Sequence, residues 1–148
     1  MSEIRIQQED FDSGAEMAAL EDDGGDAGAI ASFVGLVRGD GGLSSMTLDH
    51  YPGMCESEIA AHAGEARKRW SILALRIVHR IGRLVPGDRI VFVGVASKHR
   101  QAAFEAAEFL MDYLKTRAPF WKLERRGESE TWVRARAEDD ASVKRWIR

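Results

Sequence analysis

The sequence predicts an α+β fold in one domain that spans residues 1–148. The length suits a single domain, because a chain of 148 residues can bury roughly 70% of its unfolded surface without disulfides or metals. Segments 54–70 and 97–118 carry apolar residues at helical spacing. The alternating segments 120–125 and 131–136 lie on either side of a glycine-containing turn and predict an antiparallel hairpin. Amphipathic helices together with such strands indicate the α+β class.

The N-terminal part of the chain predicts two strands with one short helix between them. Residues 4–6 alternate as a short strand, and residues 13–20 combine capping-box spacing with an apolar run. The acidic, glycine-rich segment 21–28 predicts a mobile loop. Residues 29–38 are apolar enough for a strand buried on both faces, with Gly35 marking a bulge or a close backbone approach.

The middle of the chain predicts three further strands and an amphipathic helix. Residues 46–51 alternate as a strand, which we expect to pair as a hairpin with the strand at 29–38. Segment 54–70 predicts a helix that packs on a sheet through Ile59, Ala63, Ala66 and Trp70. The apolar segments 72–79 and 90–96 predict two strands separated by a Pro-Gly turn.

A central helix follows the last of these strands and ends before a proline. Ser97 is the expected N-cap, and Pro119 ends the helix because the residue before a proline avoids helical dihedral angles. Residues 138–146 are expected to form a last helix. The apolar stripe of the central helix consists of Ala103, Ala107, Leu110, Met111 and Leu114, and the last helix is expected to place Val143, Trp146 and Ile147 on the body of the protein.

Composition excludes several classes of protein. No apolar run approaches the roughly 20 residues of a membrane-spanning helix, and the N-terminus lacks the apolar stretch of a signal peptide, so we expect a cytoplasmic location. The four histidines lack the spacing of a helical metal site, and we expect neither a metal nor another cofactor. Cys55, the only cysteine, lies at a predicted helix start. Its thiol pKa is lowered there, or it is simply a small residue in a helical turn.

Positive charge is concentrated in one part of the chain. The net charge of −3 argues against a general nucleic-acid binder. Residues 1–26 contain nine acidic side chains and one basic side chain, whereas residues 97–125 contain six lysines and arginines against four acidic residues. Such a patch suits a small anionic ligand or an anionic chain terminus better than a long phosphate backbone.

Three groups of cations are candidates for binding an anion. His99 and Arg100 follow a strand at the start of a helix, where free backbone amides attract anions, although an exposed polar corner explains them equally well. Lys115 and Lys122 flank the end of that helix. They line one cleft as acid/base groups or oxyanion stabilisers, or they are ordinary partners of the helix dipole. Arg38 ends a strand beside a glycine-rich loop, as a ligand contact or as a solvated side chain.

Several ordered runs of residues together resemble one known family. From about Gly28 to Trp146 the sequence is similar to the large, catalytic subunit of molybdopterin synthase. The matching runs are FVGLVR at 33–38, LDHYPGM at 48–54, EARKRW at 65–70, HRIG at 79–82, VGVASKHR at 93–100 and MDYLKTRAPFWK at 111–122. So many matches in order are more specific than any single motif, and they favour a catalytic role for the lysines.

The resemblance implies a fold, a reaction and a set of partners. The fold is an α/β hammerhead type with an additional antiparallel β-subdomain. The reaction converts cyclic pyranopterin monophosphate (precursor Z) to molybdopterin by adding two dithiolene sulfurs, in molybdenum cofactor biosynthesis. The sulfur comes from a thiocarboxylate on the C-terminal Gly-Gly of a small ubiquitin-like carrier subunit. Members of the family form a homodimer of large subunits within a heterotetramer.

The resemblance also assigns roles to individual residues. The essential lysine falls on Lys115, and a second active-site lysine falls on Lys122. The implied substrate-binding residues are Leu36, Val37, Arg38, His99, Arg100, Lys122, Leu123 and Glu124. Two alternatives stay open: a non-catalytic module that docks a ubiquitin-like Gly-Gly tail in a basic cleft, and an unrelated small enzyme that acts on phosphorylated metabolites.

Overall fold

A computed structural model describes residues 2–133 and 142–147. Residues 2–133 form three α-helices, a short 3-10 turn and two four-stranded sheets. The helices are α1 (Ser13–Gly24), α2 (Met54–Arg69) and α3 (Arg100–Thr116). The strands are β1 (Ser2–Gln7), β2 (Ala29–Leu36), β3 (Ser45–His50), β4 (Ala74–Arg80), β5 (Gly82–Leu84), β6 (Arg89–Ser97), β7 (Phe120–Arg126) and β8 (Ser129–Val133). The α+β class predicted from the sequence is confirmed.

The first sheet is covered by helices on both faces. Its strand order is β1-β4-β6-β2, with β1 parallel to β4 and the other neighbours antiparallel. Side chains of β6 alternate between the faces, so Val93 packs in the cluster formed with α2 and α3, while Phe92 packs with Leu20 of α1. A strand covered on both sides explains the continuous apolar run at 90–96.

The second sheet is antiparallel throughout and has the strand order β5-β3-β7-β8. It matches the antiparallel subdomain that the resemblance implied. The chain passes from the first sheet to the second at Val37, whose amide donates a hydrogen bond to the Asp88 carbonyl, 2.9 Å. Around this crossing lies a small core of Val37, Leu43, Met46, Leu48 and Leu84.

The two long amphipathic helices confirm the segments predicted from their apolar spacing. α2 buries Ile59, Ala63 and Ala66, as the pattern indicated. α3 buries most of its predicted stripe, with Leu110 and Leu114 at its centre and end. Burial of a leucine side chain contributes about 1.5–3 kcal/mol, so the stripe holds α3 firmly on the sheet.

The predicted hairpin between residues 29–38 and 46–51 is wrong. β2 pairs with β6, and β3 pairs with β5 and β7 in the other sheet. β2 is also not buried on both faces, because it is an edge strand: Phe33 and Leu36 are 43% and 54% exposed. The prediction relied on the closeness of the two segments in sequence, whereas β2 pairs with β6, which lies much farther along the chain.

Two helix boundaries differ from the prediction. α1 continues to Gly24, so half of the predicted loop at 21–28 is helical, and Asp23 there forms an ion pair with Arg76 of β4, 3.3 Å. Ser97 is not an N-cap. It is the last residue of β6, and its hydroxyl donates to the carbonyl of Ser71, 2.7 Å, while α3 begins after His99.

The C-terminal prediction holds in part. The second strand of the hairpin begins earlier than predicted, as β8, and residues 134–136 of that prediction lie outside the described residues. The last helix is described only at 142–144, where Val143 is buried and Trp146, just beyond, packs on the main core. Ile147 was expected on the body, but it is 62% exposed because the helix has already ended. β5 was not predicted, since three residues are too few to show a pattern.

Candidate active site

A cavity of about 640 Å³ opens where the two sheets meet the C-terminal end of α3. Four cationic side chains and two carboxylates line it: Arg38, Lys115, Lys122, Arg126, Asp40 and Glu124. Its apolar wall includes Phe33, Leu36, Val37, Met111, Leu114 and Phe120. An excess of positive charge beside apolar and aromatic surface suits an anionic molecule with a planar or apolar part.

Lys115 reaches this cavity from the last turn of α3. It lies one residue beyond Leu114, at the edge of the buried stripe, so the helix anchors its backbone while the side chain lines the cavity. Within the described residues, no ion pair joins Lys115 to a carboxylate.

Lys122 and Glu124 enter the cavity together from β7. Alternation along the strand directs Phe120, Lys122 and Glu124 to the cavity, whereas Trp121 lines a separate surface depression. The ammonium of Lys122 lies 3.7 Å from Oε2 of Glu124. The expectation that Lys115 and Lys122 line one cleft is thus confirmed. Leu123 points to the opposite face of β7 and does not line the cavity.

His79 lies in the same wall and was not singled out as a site residue from the sequence. Its ring stacks on Phe120, with centroids 3.9 Å apart and planes 16° apart. Its Nδ1–H donates a hydrogen bond to the Arg80 carbonyl, 2.8 Å. Burial lowers the pKa of His79 to about 4, and the positive charge of Lys115 also lowers it, whereas the bond to Arg80 opposes this. The imidazole is therefore neutral near pH 7.

Arg38 stands at the mouth of the cavity, two residues after the end of β2. Its Nε lies 3.4 Å from Oδ2 of Asp40, and its side chain is 63% exposed. Leu36 and Val37 line the cavity beside it, Val37 as part of the buried crossing between the sheets. The three residues that the resemblance assigned to substrate binding in this segment therefore lie together.

His99 and Arg100 do not lie with these residues. They are exposed at the N-terminus of α3, and neither lines the cavity. Fifteen residues of helix separate Arg100 from Lys115, which corresponds to about 22 Å along the axis. Within one chain, the predicted substrate-binding residues therefore lie in two places: His99 and Arg100 at the start of α3, and the others near its end.

Cys55 takes no part in this site. Its side chain is fully buried at the start of α2 in the main core. Burial, with smaller contributions from the charges of Glu56 and Glu58, raises the pKa of the Cys55 thiol to about 11. Of the two interpretations of Cys55, the lowered thiol pKa is therefore wrong, because loss of hydration outweighs any effect of the helix start.

The described residues show neither a metal cluster nor a membrane-spanning helix. Within 2–133 and 142–147, no three His, Cys, Asp or Glu side chains are grouped so that they could hold a metal ion. No helix in these same ranges is long and apolar enough to cross a membrane.

The fold and the cavity define an α+β protein with one cavity lined by both cationic and apolar side chains. Comparison with known proteins then identifies the family. The family model described as MoaE protein matches residues 6–117, and the chain belongs to this family. The resemblance stated from the sequence is confirmed. The matched range includes Lys115 and ends before Lys122.

Individual relatives agree with this assignment. A molybdopterin synthase catalytic subunit from Mesorhizobium japonicum is 54% identical over 146 residues, which cover 97% of this chain and 92% of the relative. The solved molybdopterin biosynthesis MoaE protein from Burkholderia ambifaria is 51% identical, with a TM-score of 0.87 over 99% of this chain and 98% of that one. A molybdopterin synthase structure from Staphylococcus aureus is 28% identical, with a TM-score of 0.79 over 86% of this chain and 94% of that one.

Proposed function

We propose that this chain is the catalytic subunit of a molybdopterin synthase and acts in molybdenum cofactor biosynthesis. It would convert cyclic pyranopterin monophosphate to molybdopterin by adding two dithiolene sulfurs. The sulfur donor would be the thiocarboxylate on the C-terminal Gly-Gly of a small carrier subunit. Support comes from the family membership and from relatives that are named molybdopterin synthase catalytic subunit. The match to the Mesorhizobium japonicum relative covers nearly the whole length of both chains.

The observation that carries the proposal is the convergence of Lys115 and Lys122 in one cavity. They come from different elements, the end of α3 and the middle of β7, and both line it beside the aromatic ring of Phe120. Both proposed substrates are anions, a cyclic phosphate and a thiocarboxylate. Positive charge in a partly enclosed cavity concentrates and orients such groups.

Each side chain has a distinct proposed role. Lys115 assists the attack of the thiocarboxylate by transferring a proton or by stabilising developing negative charge. Lys122 supports it, with Glu124 beside its ammonium group. Arg38, Leu36 and Val37 bind the substrate at the mouth of the cavity, where the guanidinium suits a phosphate or the polar edge of the pterin.

The remaining substrate-binding residues constrain the assembly. His99 and Arg100 lie about 22 Å along α3 from Lys115, too far for one small substrate to touch both ends within one chain. A second copy of the chain would therefore supply them, which agrees with the proposed homodimer of large subunits in a heterotetramer. Leu123 faces away from the cavity, and its proposed contact is with the carrier subunit or the second copy.

The proposal treats residues 1–148 as one functional domain, because the cavity takes its walls from both sheets and from α3. The cytoplasmic location expected from the sequence stays a prediction. The chemistry assigned to the cavity depends neither on the domain boundaries nor on the location in the cell.

The test is conversion of precursor Z by the purified chain with thiocarboxylated carrier. Lys115→Ala should lower the rate of molybdopterin formation about 10²–10⁴-fold, the usual effect of removing a general acid/base or oxyanion group. Lys68→Ala is the matched control, since Lys68 is an exposed lysine on α2 outside the cavity. It should leave the rate unchanged.

The outcomes separate the proposed enzyme from its alternatives. Turnover near the wild-type level by folded Lys115→Ala would sink the catalytic assignment. If the wild-type chain captures the carrier but never converts precursor Z, the non-catalytic docking module is favoured. Failure to capture the carrier as well would favour an unrelated enzyme acting on phosphorylated metabolites.

A further inference from the structure

Arg126 lines the active-site cavity but belongs to none of the residues assigned to substrate binding. It is the last residue of β7, and alternation places its side chain on the same face as Lys122 and Glu124. Its guanidinium contacts two separate parts of the cavity wall. The two contacts use different nitrogens of the group.

The first contact is with the carboxylate of Glu124. Nη1 of Arg126 donates to Oε1 at 2.9 Å, while Lys122 lies 3.7 Å from Oε2. The Glu124 side chain is 16% exposed, so two cations share its carboxylate in a partly desolvated position. Arg126 thereby engages one carboxylate oxygen and leaves the other facing Lys122.

The second contact is with the loop that follows Arg38. Nη2 of Arg126 donates to the carbonyl of Asp40 at 3.4 Å, and the carboxylate of the same Asp40 pairs with Arg38 at 3.4 Å. Gly41 adopts a left-handed conformation, with φ of 64°, and the guanidinium packs directly over it. The Asp40 carbonyl also accepts the amide of Leu43, which closes the turn.

From these contacts we propose that Arg126 is a positioning residue that fixes the Arg38 loop to the strand carrying Lys122. The path runs from Lys122 through Glu124 and Arg126 to Asp40, and from there to Arg38. It joins the two walls of the cavity that come from different sheets. The consequence for substrate binding rests on the proposed function, whereas the consequence for the loop does not.

Arginine suits this role better than lysine. A guanidinium presents several donors in a planar fork and can bind two acceptors on different sides, whereas an ammonium group is a single point charge. Arg125, the neighbouring residue, provides a matched comparison. It faces the other side of β7 and pairs with Glu130 at 3.8 Å, away from the cavity.

The first experiment measures the loop directly by amide hydrogen exchange, without substrate. In Arg126→Ala, the Leu43 amide should exchange about three- to fivefold faster, the effect expected when partly exposed charged hydrogen bonds are lost. The Ser44 amide donates to the backbone carbonyl of Arg125 and serves as an internal reference that should not change. Arg125→Ala should leave both amides as in the wild type.

The second experiment compares kinetics of the complete synthase with the same variants. Arg126→Ala should raise KM for precursor Z about three- to fivefold and change kcat less than about twofold, because Arg38 is misplaced while Lys115 is untouched. Arg126→Lys should recover only part of the loss. Arg125→Ala should match the wild type.

The two measurements together distinguish a positioning role from direct contact with the substrate. Unchanged Leu43 exchange in Arg126→Ala overturns the proposal, and so does a raised KM with unchanged exchange, which would make Arg126 a direct substrate ligand. Faster exchange with unchanged KM overturns its functional part. If the wild-type synthase makes no molybdopterin, the proposed function fails, but the exchange experiment still decides whether Arg126 holds the loop.

Discussion

Replacing His79 with asparagine is expected to make the protein less sensitive to acid. His79 is buried in the cavity wall against Phe120 and near the charge of Lys115, and its pKa is lowered from 6.5 to about 4. Asparagine places an amide donor near the position of Nδ1, so it can keep the hydrogen bond to the Arg80 carbonyl. It removes the titrating group.

Acid should destabilise the wild-type protein, because the pKa of His79 is lower in the folded than in the unfolded chain. Above about pH 6.5 the imidazole is neutral in both the folded and the unfolded chain and contributes no pH dependence. Between about pH 6.5 and 4 the unfolded chain binds a proton that the folded protein refuses, so stability falls as the pH falls. A difference of about 2.5 pKa units corresponds to a loss of about 3 kcal/mol, complete below about pH 4.

The assay is urea unfolding of wild type and His79→Asn at about pH 7.5 and about pH 4.5. The wild type should lose about 2–3 kcal/mol more than the variant between these conditions. Contributions from carboxylates and the other histidines are common to both proteins and cancel in the comparison. His99→Asn, at an exposed position, is the control and should follow the wild type.

A second variant links this measurement to the active site. Lys115→Met removes the neighbouring charge that helps to lower the pKa of His79, and it should therefore reduce the acid loss in part, since burial remains. If wild type and His79→Asn lose equal stability on acidification, the imidazole is not held neutral. An acid loss in Lys115→Met equal to that of the wild type would contradict the closeness of His79 to Lys115.

Two further predictions concern groups outside the cavity. Cys55 should react with thiol reagents at least about 10²-fold more slowly in the native protein than in urea, because it is fully buried and its thiol pKa is raised to about 11; equal rates would refute this. Glu16→Gln should cost about 2–4 kcal/mol at pH 7, because Glu16 accepts from Arg5 at 2.6 Å and from Arg76 at 3.0 Å. Burial is the largest single effect on the pKa of Glu16 and raises it, but the hydrogen bonds and charges of the two arginines together outweigh burial, so the pKa is lowered. The wild-type advantage should therefore shrink as the pH falls below about 4.5 and vanish below the folded-state pKa. Urea unfolding at several pH values measures this, and an advantage that stays constant down to acid pH would contradict it.

Local patterns in the sequence were sufficient for most elements. The direction of side chains in a strand has a period of two, so alternation alone predicted that Lys122 faces away from Trp121. The helical period similarly predicted the buried stripe of α3, including Leu110 and Leu114. Such patterns can be read within a short segment, because they depend only on which face of that one helix or strand is buried.

Part of the site was also predictable, but for a different reason. Composition and spacing left Lys115 and Lys122 undecided between catalysis and the helix dipole, and only the ordered resemblance favoured catalysis. The separation of Arg100 from Lys115 could also have been predicted from the sequence. Fifteen residues of one helix place the two side chains at opposite ends of it.

Other features depend on contacts between residues far apart in the chain, and only the tertiary structure decided them. β2 pairs with β6, more than fifty residues away, and not with its neighbour β3, because strand pairing is set by which edges the whole fold leaves open. Burial likewise sums contributions from distant segments. It therefore raised the thiol pKa of Cys55, which a helix start alone would lower, and made His79 a neutral part of the cavity wall.

The sequence by itself determined the fold class, the buried faces of α2 and α3, the alternation of β7, and the family to which the chain belongs. The tertiary structure decided which cations share one cavity and brought Glu124 and Arg126 between them. The physical reason is one of range. Side-chain periodicity acts over a few residues, whereas a site is made where elements from opposite ends of the chain pack together.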